Sequence, residues 1–514
     1  MAAIIPRWEW RTFGSRFGLA ETRFGELQQT GVQDSEELYF LGGNGANAKV
    51  RDDLMDIKLL RKVDADGLEC WEPVMKAPFP LPAAEVAKAF ELIGIPVPTM
   101  ARDAYTLRTF IDELAVPAGL VPVHVRKRRV RYVVGGCTSE VSELWANDKY
   151  TRTIAIEGED AAAVVAAVKS VGFAGFHNIS YIKGLRLVLD DAPERYAVVD
   201  AGTNSIKLHI GERVGTDGWR AISDRAELTR LGEGLVEGGA ITPAATARTV
   251  EAIAAMADEA RHHNVRAIVG VGTAGMRMAS NGAEVVEAVR ERSGVAIEII
   301  SGEEEGRLAY VAVEAGLGMP AGSLVVFDTG GGSSQLTFGR DHHVDERFSV
   351  NVGAVRYTER FGLAAPVTQA DLHRAFAAIA ADLSRIDGRD SPDLLVGMGG
   401  AVTNIAAVSH HMTKYDPDVI QGTVLERSEI ERQIEMYRTR DAEGRRSIPG
   451  LQPNRAGVIL AGACIVRTIM DKLGKDSLTV SDRGLRHGIV AERFGGGMSR
   501  VETAEQPAES LAVH

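Results

Sequence analysis

The sequence has little cysteine, no long apolar run and no excess of basic charge. Its 514 residues include only three cysteines, widely spaced and without a C-x-x-C pair. This argues against a disulfide framework or a cysteine-based zinc site and favours a reducing, cytoplasmic location. The longest apolar run, AGVILAGACIV from Ala456, is too short to span a bilayer and is typical of a buried helix. Charged residues occur within the first ten residues, MAAIIPRWEW, which is too early for the apolar segment of a signal peptide.

The balance of charge also limits the function. A net charge of −12 argues against a general nucleic-acid-binding protein, although it leaves room for local basic patches. The composition, 45% hydrophobic and 25% charged, is that of a globular protein. A chain of 514 residues is too long for one ordinary core, so we expect two to four domains.

The amino-acid composition and the pattern of predicted strands and helices change along the chain. Residues 1–190 carry strand-like segments with alternating charge and one helical patch near Ala83–Ile93. The following segment is rich in Ala, Gly and Val, and strands alternate there with helices, which predicts α/β domains over 194–309 and 310–494. The small, polar stretch 495–514 predicts a disordered tail.

Two segments of the α/β region share one pattern. In VVDAGTNSIKL and VVFDTGGGSSQL, an apolar strand ends in an aspartate and a glycine-containing loop, and a second apolar strand follows. Glycine lets successive backbone N–H groups converge on an anion, and phosphate is the usual one. The loop residues predicted to bind phosphate are Gly202, Thr203, Asn204, Ser205, Gly330, Gly331, Gly332, Ser333 and Ser334.

Both loops are predicted to be hairpins, which excludes a P-loop and a dinucleotide-binding fold. Asp200 and Asp328 do not suit a bare phosphate site, because like charges repel. The two aspartates suit a phosphate site if a divalent cation lies between carboxylate and phosphate, or if the aspartates orient a water. The pair of hairpins suggests two duplicated halves facing one cleft. For Lys207, in the strand that leaves the first loop, we expect a side chain in solvent.

These motifs resemble the exopolyphosphatase/guanosine pentaphosphate phosphatase (Ppx/GppA) family of the actin-like, ribonuclease H-like superfold. The resemblance runs from about Tyr196 to Phe494. Besides the two loops, it rests on five further motifs in the expected order: RLGEGL (230–235), GTAGMRMA (272–279), EIISGEEEGRLAY (298–310), VGMGGAVTN (396–404) and SDRGLRHGIV (481–490).

The resemblance implies roles for individual residues. It makes Glu305, two residues before Arg307, the general base and Arg277 a phosphate-contacting arginine. It makes Asp200 and Asp328 the carboxylates linked to Mg²⁺. Without that context, three consecutive glutamates at 303–305 are typical of a solvated helix N-terminus.

Two positions depart from the family pattern. Gln335 stands where the family usually has glutamate after the second loop, and glutamine is neither a base nor a strong metal ligand. Ala401 stands where threonine is common. We still expect activity because Glu305 is present.

In the N-terminal region, strand alternation places cations on common faces, among them Lys58 with Lys62. The strand RWEWRTF, the pairs Ile57–Lys58 and Lys127–Arg129, and NISYIKGL (178–185) follow in an order that resembles a CYTH-like triphosphate tunnel, an antiparallel α+β barrel. The family's E-x-E-x-K start reads Arg7-x-Glu9-x-Arg11 here, and Ala155 replaces a further carboxylate, so we expect polyanion binding with little hydrolysis. The cations assigned to the tunnel are Arg11, Lys49, Arg51, Lys58, Lys127 and Arg129.

The predicted function is hydrolysis of a terminal phosphoanhydride, in inorganic polyphosphate or at the 5′ phosphate of guanosine pentaphosphate. Specific nucleic-acid and membrane partners are not expected, and the resemblance alone suggests a homodimer. Two alternatives stay open. The first is a catalytically weak sensor that binds polyphosphate or an alarmone, and the second is an actin-like ATPase or kinase.

Overall fold

The computed structural model describes residues 6–215, 218–236, 238–317, 322–340 and 343–495. Two compact units divide the chain, Met1–Glu194 and Arg195–His514. The predicted disordered tail lies outside the described residues, apart from Gly495. Within the described ranges, every helix is too short or too polar to cross a membrane.

The first unit is a closed antiparallel barrel in the order β1-β10-β9-β8-β2-β3-β4-β5. Its strands, with the short β6–β7 pair outside the barrel, are β1 (Arg7–Gly14), β2 (Gly31–Leu41), β3 (Asn47–Arg51), β4 (Leu54–Val63), β5 (Glu69–Pro78), β6 (Leu81–Pro82), β7 (Ala104–Tyr105), β8 (Val121–Val134), β9 (Cys137–Ala146) and β10 (Lys149–Gly158). Its helices are α1 (Leu19–Gly25), α2 (Ala83–Ile93), α3 (Leu107–Phe110), a π-helical turn (Ile111–Ala115), α4 (Ala161–Ser170) and α5 (Tyr181–Leu189).

Helices α2 and α3 cover part of the outside of this barrel. Leu38, Val50 and Ile57 point outward from β2, β3 and β4 and pack against Phe90 of α2 and Phe110 of α3 in one buried apolar cluster. The Ala83–Ile93 helix is confirmed and ends at Gly94, whose φ of 77° suits glycine at a helix end. Because the outer face takes the apolar residues, the inner face is free to be polar.

The prediction that Lys58 and Lys62 share one face of β4 is wrong. Arg61 is an extra residue in β4, since Leu60 pairs with Trp71 and Lys62 with Cys70. Such a bulge reverses the alternation of side chains beyond it. Lys58 therefore follows the inward face, whereas Lys62 lies on the outer face, 4.7 Å from the centre of the Trp8 ring.

The second unit contains two sheets of similar topology. The first has the order β13-β12-β11-β14-β15 and the second the order β18-β17-β16-β19-β21-β20. In each sheet, three strands form antiparallel hairpins and the next strand joins in parallel. The predicted pair of duplicated α/β halves is therefore confirmed, and both glycine loops are hairpins.

The strands of the second unit are β11 (Arg195–Ala201), β12 (Ser205–Val214), β13 (Gly218–Leu228), β14 (Ala267–Gly272), β15 (Ile297–Ile299), β16 (Ser323–Thr329), β17 (Ser334–Arg340), β18 (His343–Val350), β19 (Leu394–Met398), β20 (Val424–Glu426) and β21 (Ser477–Val480). Its helices are α6 (Pro243–His262), α7 (Ala274–Met278), α8 (Gly282–Ser293), α9 (Gly302–Leu317), α10 (Ala354–Phe361), α11 (Gln369–Asp382), α12 (Gly400–Ser409), α13 (Pro417–Ile420), α14 (Arg427–Arg438), α15 (Ala442–Arg445), α16 (Ile459–Lys472) and α17 (Leu485–Phe494), with 3₁₀ turns at Ser384–Ile386 and Pro453–Arg455.

Each half has its own apolar core. The run AGVILAGACIV becomes the start of α16, whose residues Leu460 to Val466 are buried in the core of the second half, which confirms the prediction of a buried helix. A separate apolar core lies between β11–β12 and α6 in the first half. Between these cores, the carboxyl ends of β11 and β16 meet.

Candidate active site

The two glycine loops face each other across a narrow gap. A methyl group added at Gly331 would lie 3.4 Å from Asn204 Cβ, and one added at Gly332 would lie 3.1 Å from Thr203 Oγ1. Each loop is closed by a backbone hydrogen bond, from Gly202 N–H to the Ser205 carbonyl and from Gly330 N–H to the Ser333 carbonyl. The structure therefore brings the predicted phosphate loops into one cleft.

Two aspartates lie at equivalent positions beside these loops. Asp200 is the penultimate residue of β11, and Asp328 the penultimate residue of β16. Asp200 is 4% exposed. Burial raises the pKa of Asp328, and the charge of Asp200 raises it further, while the cations Lys207 and Arg455 oppose the shift. The charge of Asp200 therefore acts on the carboxylate of Asp328.

The carboxylates fit a divalent cation. Oδ1 of Asp200 is buried and accepts no hydrogen bond within the described part of the chain. A methyl group at Gly399 would lie 2.3 Å from Oδ1 of Asp328, so glycine keeps the space around that oxygen open. Carboxylate oxygens are the ligands that Mg²⁺ prefers in proteins. Asp200 and Asp328 are thus the residues of this cleft that would hold such an ion.

Glu305 and Arg277 form an ion pair in the same cleft. Arg277 Nη1 lies 2.9 Å from Glu305 Oε2, and it also donates to the Ile300 carbonyl at 2.7 Å. Burial raises the pKa of Glu305 to about 7. It outweighs the opposing charge and hydrogen bond of Arg277, and the charges of Asp200 and Asp328 add a smaller rise. A carboxylate with that pKa is suited to accept a proton near neutral pH.

The other two glutamates of the acidic motif, Glu303 and Glu304, have different surroundings. Helix α9 begins at Gly302, so successive side chains point about 100° apart around it. Glu303 is exposed, and a hydrogen bond from its own backbone N–H lowers its pKa. Glu304 pairs with Arg307, with 2.7 Å between Arg307 Nη2 and Glu304 Oε1. Only Glu305 of the three lies against Arg277.

A family model described as the Ppx/GppA phosphatase family matches residues 212–495, more than half of the chain. The chain belongs to that family. Exopolyphosphatase 2 of Mycobacterium tuberculosis is 30% identical over 322 residues, which are 59% of this chain and 99% of that protein. The guanosine-5'-triphosphate,3'-diphosphate pyrophosphatase of Pseudoalteromonas translucida is 28% identical over 296 residues, 57% of this chain and 58% of that protein.

Solved structures agree with this membership. The Ppx/GppA family member of Aquifex aeolicus is 32% identical, with a TM-score of 0.51 over 58% of this chain and 96% of that one. An exopolyphosphatase-like protein is 26% identical, with a TM-score of 0.54 over 59% of this chain and 98% of that one. The duplicated α/β fold of these Ppx/GppA neighbours is actin-like, as the sequence predicted.

Gln335, one of the two departures from the family pattern, lies in the cleft. It is 3% exposed and pairs with Asp328 across the hairpin. Its Nε2 donates to Ser333 Oγ at 2.7 Å and to Ser349 Oγ at 3.1 Å. Its Cβ would lie 3.6 Å from a methyl group placed at Gly306, the residue after Glu305. A carboxylate here would therefore join the acidic cluster of Glu305, Asp200 and Asp328.

Two cations of the cleft were missed by the sequence analysis. Lys207 was expected in solvent, but its Nζ lies 3.3 Å from Asp200 Oδ2. The hairpin register was the available signal, because Lys207 pairs directly with Asp200. Arg455 packs its guanidinium against Gly400, where a methyl group would lie 2.6 Å from Cζ, and its buried Nε lacks a described hydrogen-bond partner. Nothing near Arg455 in the sequence indicated this position.

A second polar site lies inside the barrel of the first unit. Glu37 has a fully buried side chain whose carboxylate lies 2.7 Å from Lys127 Nζ, 2.7 Å from Arg129 Nη2 and 3.2 Å from Lys49 Nζ. Although burial opposes it, the charges of Lys127 and Lys49 hold the pKa of Glu37 well below its usual range. Arg51 Nη1 is also close to Glu37, at 3.6 Å. Four predicted tunnel cations therefore meet at one carboxylate that the sequence analysis overlooked.

Arg11 and Lys58 complete the predicted set. Arg11 Nε lies 2.7 Å from Glu9 Oε1, and Arg11 Nη2 lies 3.3 Å from Glu140 Oε1. Lys58 follows the inward face of β4 and acts electrostatically on Glu157. Strand alternation in β2 and β9 was the signal for Glu37 and Glu140. The lumen is thus an array of cations and carboxylates and carries more acid than predicted, and the closed barrel fits the CYTH-like domain.

One end of the lumen is filled by α5. Tyr181 stacks on Tyr39, with ring centres 4.7 Å apart, and lies 4.5 Å from Lys127 Nζ. Further along α5, Ile182 and Leu185 pack with inward-facing apolar residues at the ends of the strands. The charged groups of the lumen therefore lie on the other side of this apolar plug.

Proposed function

We propose that the protein is a phosphoanhydride hydrolase that releases the terminal phosphate of inorganic polyphosphate or the 5′ phosphate of guanosine pentaphosphate. The observation that carries this proposal is Glu305. Its carboxyl group, on a side chain that is 13% exposed, has a pKa raised to about 7 and is held by Arg277 beside two aspartates and two glycine loops. Relatives named for both substrates support the choice of this reaction class.

The residues of the cleft have separate tasks in this reaction. The glycine loops bind the terminal phosphoryl group through backbone N–H groups, and Arg277 donates to its oxygens. Glu305 accepts a proton from a water as that water's oxygen bonds to phosphorus. The bridging P–O bond then breaks, and its electron pair stays with the shortened chain or nucleotide.

A divalent cation, Mg²⁺ in this proposal, would be held by Asp200 and Asp328, and it would neutralise charge on the phosphate oxygens. Lys207 and Arg455 add positive charge close to these aspartates. This placement lets carboxylates and phosphates share one cleft without net repulsion.

Phosphate release from long-chain polyphosphate tests the proposal. Wild type should release orthophosphate with Mg²⁺, and Glu305→Gln should lose at least about 100-fold in kcat, the range for a general base. Glu303→Gln is the matched control, because it changes an exposed neighbour in the same turn. The same comparison with guanosine pentaphosphate identifies the preferred substrate. Equal activity of wild type and Glu305→Gln would contradict the proposal.

A binding protein without turnover is the second candidate, and Gln335 is the observation that favours it. A neutral amide occupies a position in the cleft where the family usually has a carboxylate. In that case wild type would bind polyphosphate without releasing phosphate, and Gln335→Glu would gain turnover. Transfer of phosphate from a nucleotide to an acceptor, instead of release of orthophosphate, would favour the ATPase or kinase alternative.

The barrel, in this proposal, binds the polyanion and does not hydrolyse it. Its cations Arg11, Lys49, Lys127 and Arg129 support binding, and a chain that joins both units raises the effective concentration of substrate for the cleft. The full-length Glu305→Gln variant tests this separately: it should still bind polyphosphate in a salt-sensitive way and keep no more than about one hundredth of the wild-type hydrolysis. Metal-dependent hydrolysis that survives the further substitution Asp200→Asn would assign activity to the barrel.

Homodimerisation and a cytoplasmic location belong to the same proposal. The three buried cysteines are free thiols, which suits a reducing compartment. Light scattering on the purified chain tests the dimer.

A further inference from the structure

Two histidines and an aspartate converge away from the glycine loops. His209, Asp224 and His487 each offer a ligand atom, and these atoms all lie within 4.8 Å of one another. Nδ1 of His209 lies 2.9 Å from Asp224 Oδ2, and Nε2 of His487 lies 3.7 Å from the same oxygen. The rings of the two histidines are 4.6 Å apart.

Three elements bring these side chains together. His209 of β12 pairs directly with Asp224 of β13, which places both on one face of the first sheet. His487 comes from α17, near the end of the described chain, and this helix packs on β11 and β12. The cluster therefore joins the first half of the unit to its last helix.

The two oxygens of Asp224 have different partners. Arg486 donates to Oδ1 of Asp224 and, at 3.1 Å, to the Leu208 carbonyl. Oδ2 faces the two imidazoles. Metal-binding carboxylates commonly have their second oxygen held by a hydrogen bond in this way, which fixes the orientation of the ligating oxygen. Arg486 thus orients Asp224 and leaves Oδ2 directed at the histidines.

The spacing matches a small transition-metal site. Zinc bonds to imidazole nitrogen at about 2.0–2.1 Å, so ligand atoms around a tetrahedral ion lie about 3.3 Å apart. The distances of 2.9 and 3.7 Å to Asp224 Oδ2 bracket that value. The side chain of His209 is 5% exposed and that of Asp224 36%, so an ion would enter from the Asp224 side and meet a buried imidazole.

We propose that His209, Asp224 and His487 form a binding site for a divalent transition-metal ion of the zinc class. Imidazole nitrogens select such ions over Mg²⁺, which prefers oxygen ligands. The site is separate from Asp200 and Asp328 and goes beyond the proposed hydrolysis. Bound metal would link β12 and β13 to α17, and because the unfolded chain lacks the site, it would stabilise the second unit.

Zinc titration of the full-length protein tests this assignment. The chain is stripped with a chelator, dialysed, saturated with Mg²⁺ to fill oxygen sites, and titrated with ZnCl₂ by calorimetry. Wild type should bind one equivalent more than His487→Gln and His209→Gln. It should also show a higher unfolding temperature in zinc that both variants lack. His373→Gln, an exposed histidine elsewhere, is the matched control and should behave as wild type.

Cobalt gives a second readout. Co²⁺ should produce visible absorption bands of a tetrahedral nitrogen–oxygen site in wild type, and Asp224→Asn should weaken them. Asp224 and His487 are partly exposed, so their variants keep the test valid if His209→Gln fails to fold. Equal zinc stoichiometry in wild type and variants would overturn the proposal, and so would the absence of zinc binding by wild type. Phosphate release does not enter either result, so the outcome is independent of the proposed hydrolysis.

Discussion

Arg277 Nη1 lies 2.9 Å from Glu305 Oε2, and this ion pair joins the phosphate-contacting arginine to the residue that would remove a proton from water. Glu305 must be ionised to act as a base. Burial and the charges of Asp200 and Asp328 raise its pKa to about 7. Activity should therefore rise with pH through an acid limb above the usual range for glutamate, measured as kcat/KM. Raising the Mg²⁺ concentration should move the midpoint of this limb to lower pH, because the cation neutralises Asp200 and Asp328.

The variant Arg277→Gln sharpens this prediction. Arg277 stabilises the ionised form, so its removal should move the acid limb to higher pH as well as lower the rate. The midpoint of the profile, not the rate, is the informative quantity. An unchanged midpoint would mean that another group controls the limb.

The same carboxyl group should make folding depend on pH. Its folded pKa of about 7 lies above the ordinary value of 4.5, so its stabilising contribution is present below 4.5 and is lost as pH rises towards 7. The size of the effect is about 3 kcal/mol. Without metal, Glu305→Gln should gain stability over wild type between pH 4.5 and 7, as measured by denaturant unfolding. A difference that does not change with pH would contradict the raised pKa.

Gln335→Glu should strengthen the binding of divalent cations. The new carboxylate would lie across the hairpin from Asp328 and beside Glu305. We expect roughly tenfold tighter binding of Mg²⁺, because a fourth carboxylate joins the cluster of Glu305, Asp200 and Asp328. We also expect the acid limb of the pH profile to move to higher pH by like-charge repulsion. Calorimetric titration with Mg²⁺ measures the first effect. Gln335→Met, of similar volume but uncharged, is the control and should not gain affinity.

Lys207→Met should separate metal binding from substrate binding. Lys207 neutralises Asp200 at 3.3 Å and lowers the pKa of Asp328. Its removal should tighten Mg²⁺ binding and raise KM for polyphosphate, each by about fivefold, corresponding to about 1 kcal/mol for a partly exposed pair. Lys207→Arg keeps the charge and should restore both values towards wild type. Unchanged Mg²⁺ affinity in Lys207→Met would argue that the pair plays no part in metal binding.

Glu37→Gln should destabilise the barrel. Glu37 is the shared partner of Lys127, Arg129 and Lys49, and removing its charge leaves buried cations unpaired, at a cost of about 3–5 kcal/mol. Tryptophan fluorescence follows this unit, since it contains Trp8, Trp10, Trp71 and Trp145, whereas the second unit has only Trp219. Glu36→Gln changes the exposed neighbour and should unfold as wild type does.

Local pattern predicted much of the fold. The hairpins around both glycine loops, the helix Ala83–Ile93 and the buried helix after Ala456 are confirmed, because each depends on side-chain periodicity within a short segment. The prediction that Lys58 and Lys62 lie on one face of β4 is wrong for a reason that is also local. One extra residue at Arg61 reverses the faces of β4, and a bulge leaves no clear mark in the sequence.

What the sequence by itself determined is the order of strands and loops, the family and the residue types at the cleft, with Glu305 two positions before Arg307. The tertiary structure decided which charges meet. It placed Asp200, Asp328 and Arg277 around Glu305, Glu37 among four cations, and His487 beside His209. Electrostatic energies depend on distance and burial, and neither follows from separation along the chain.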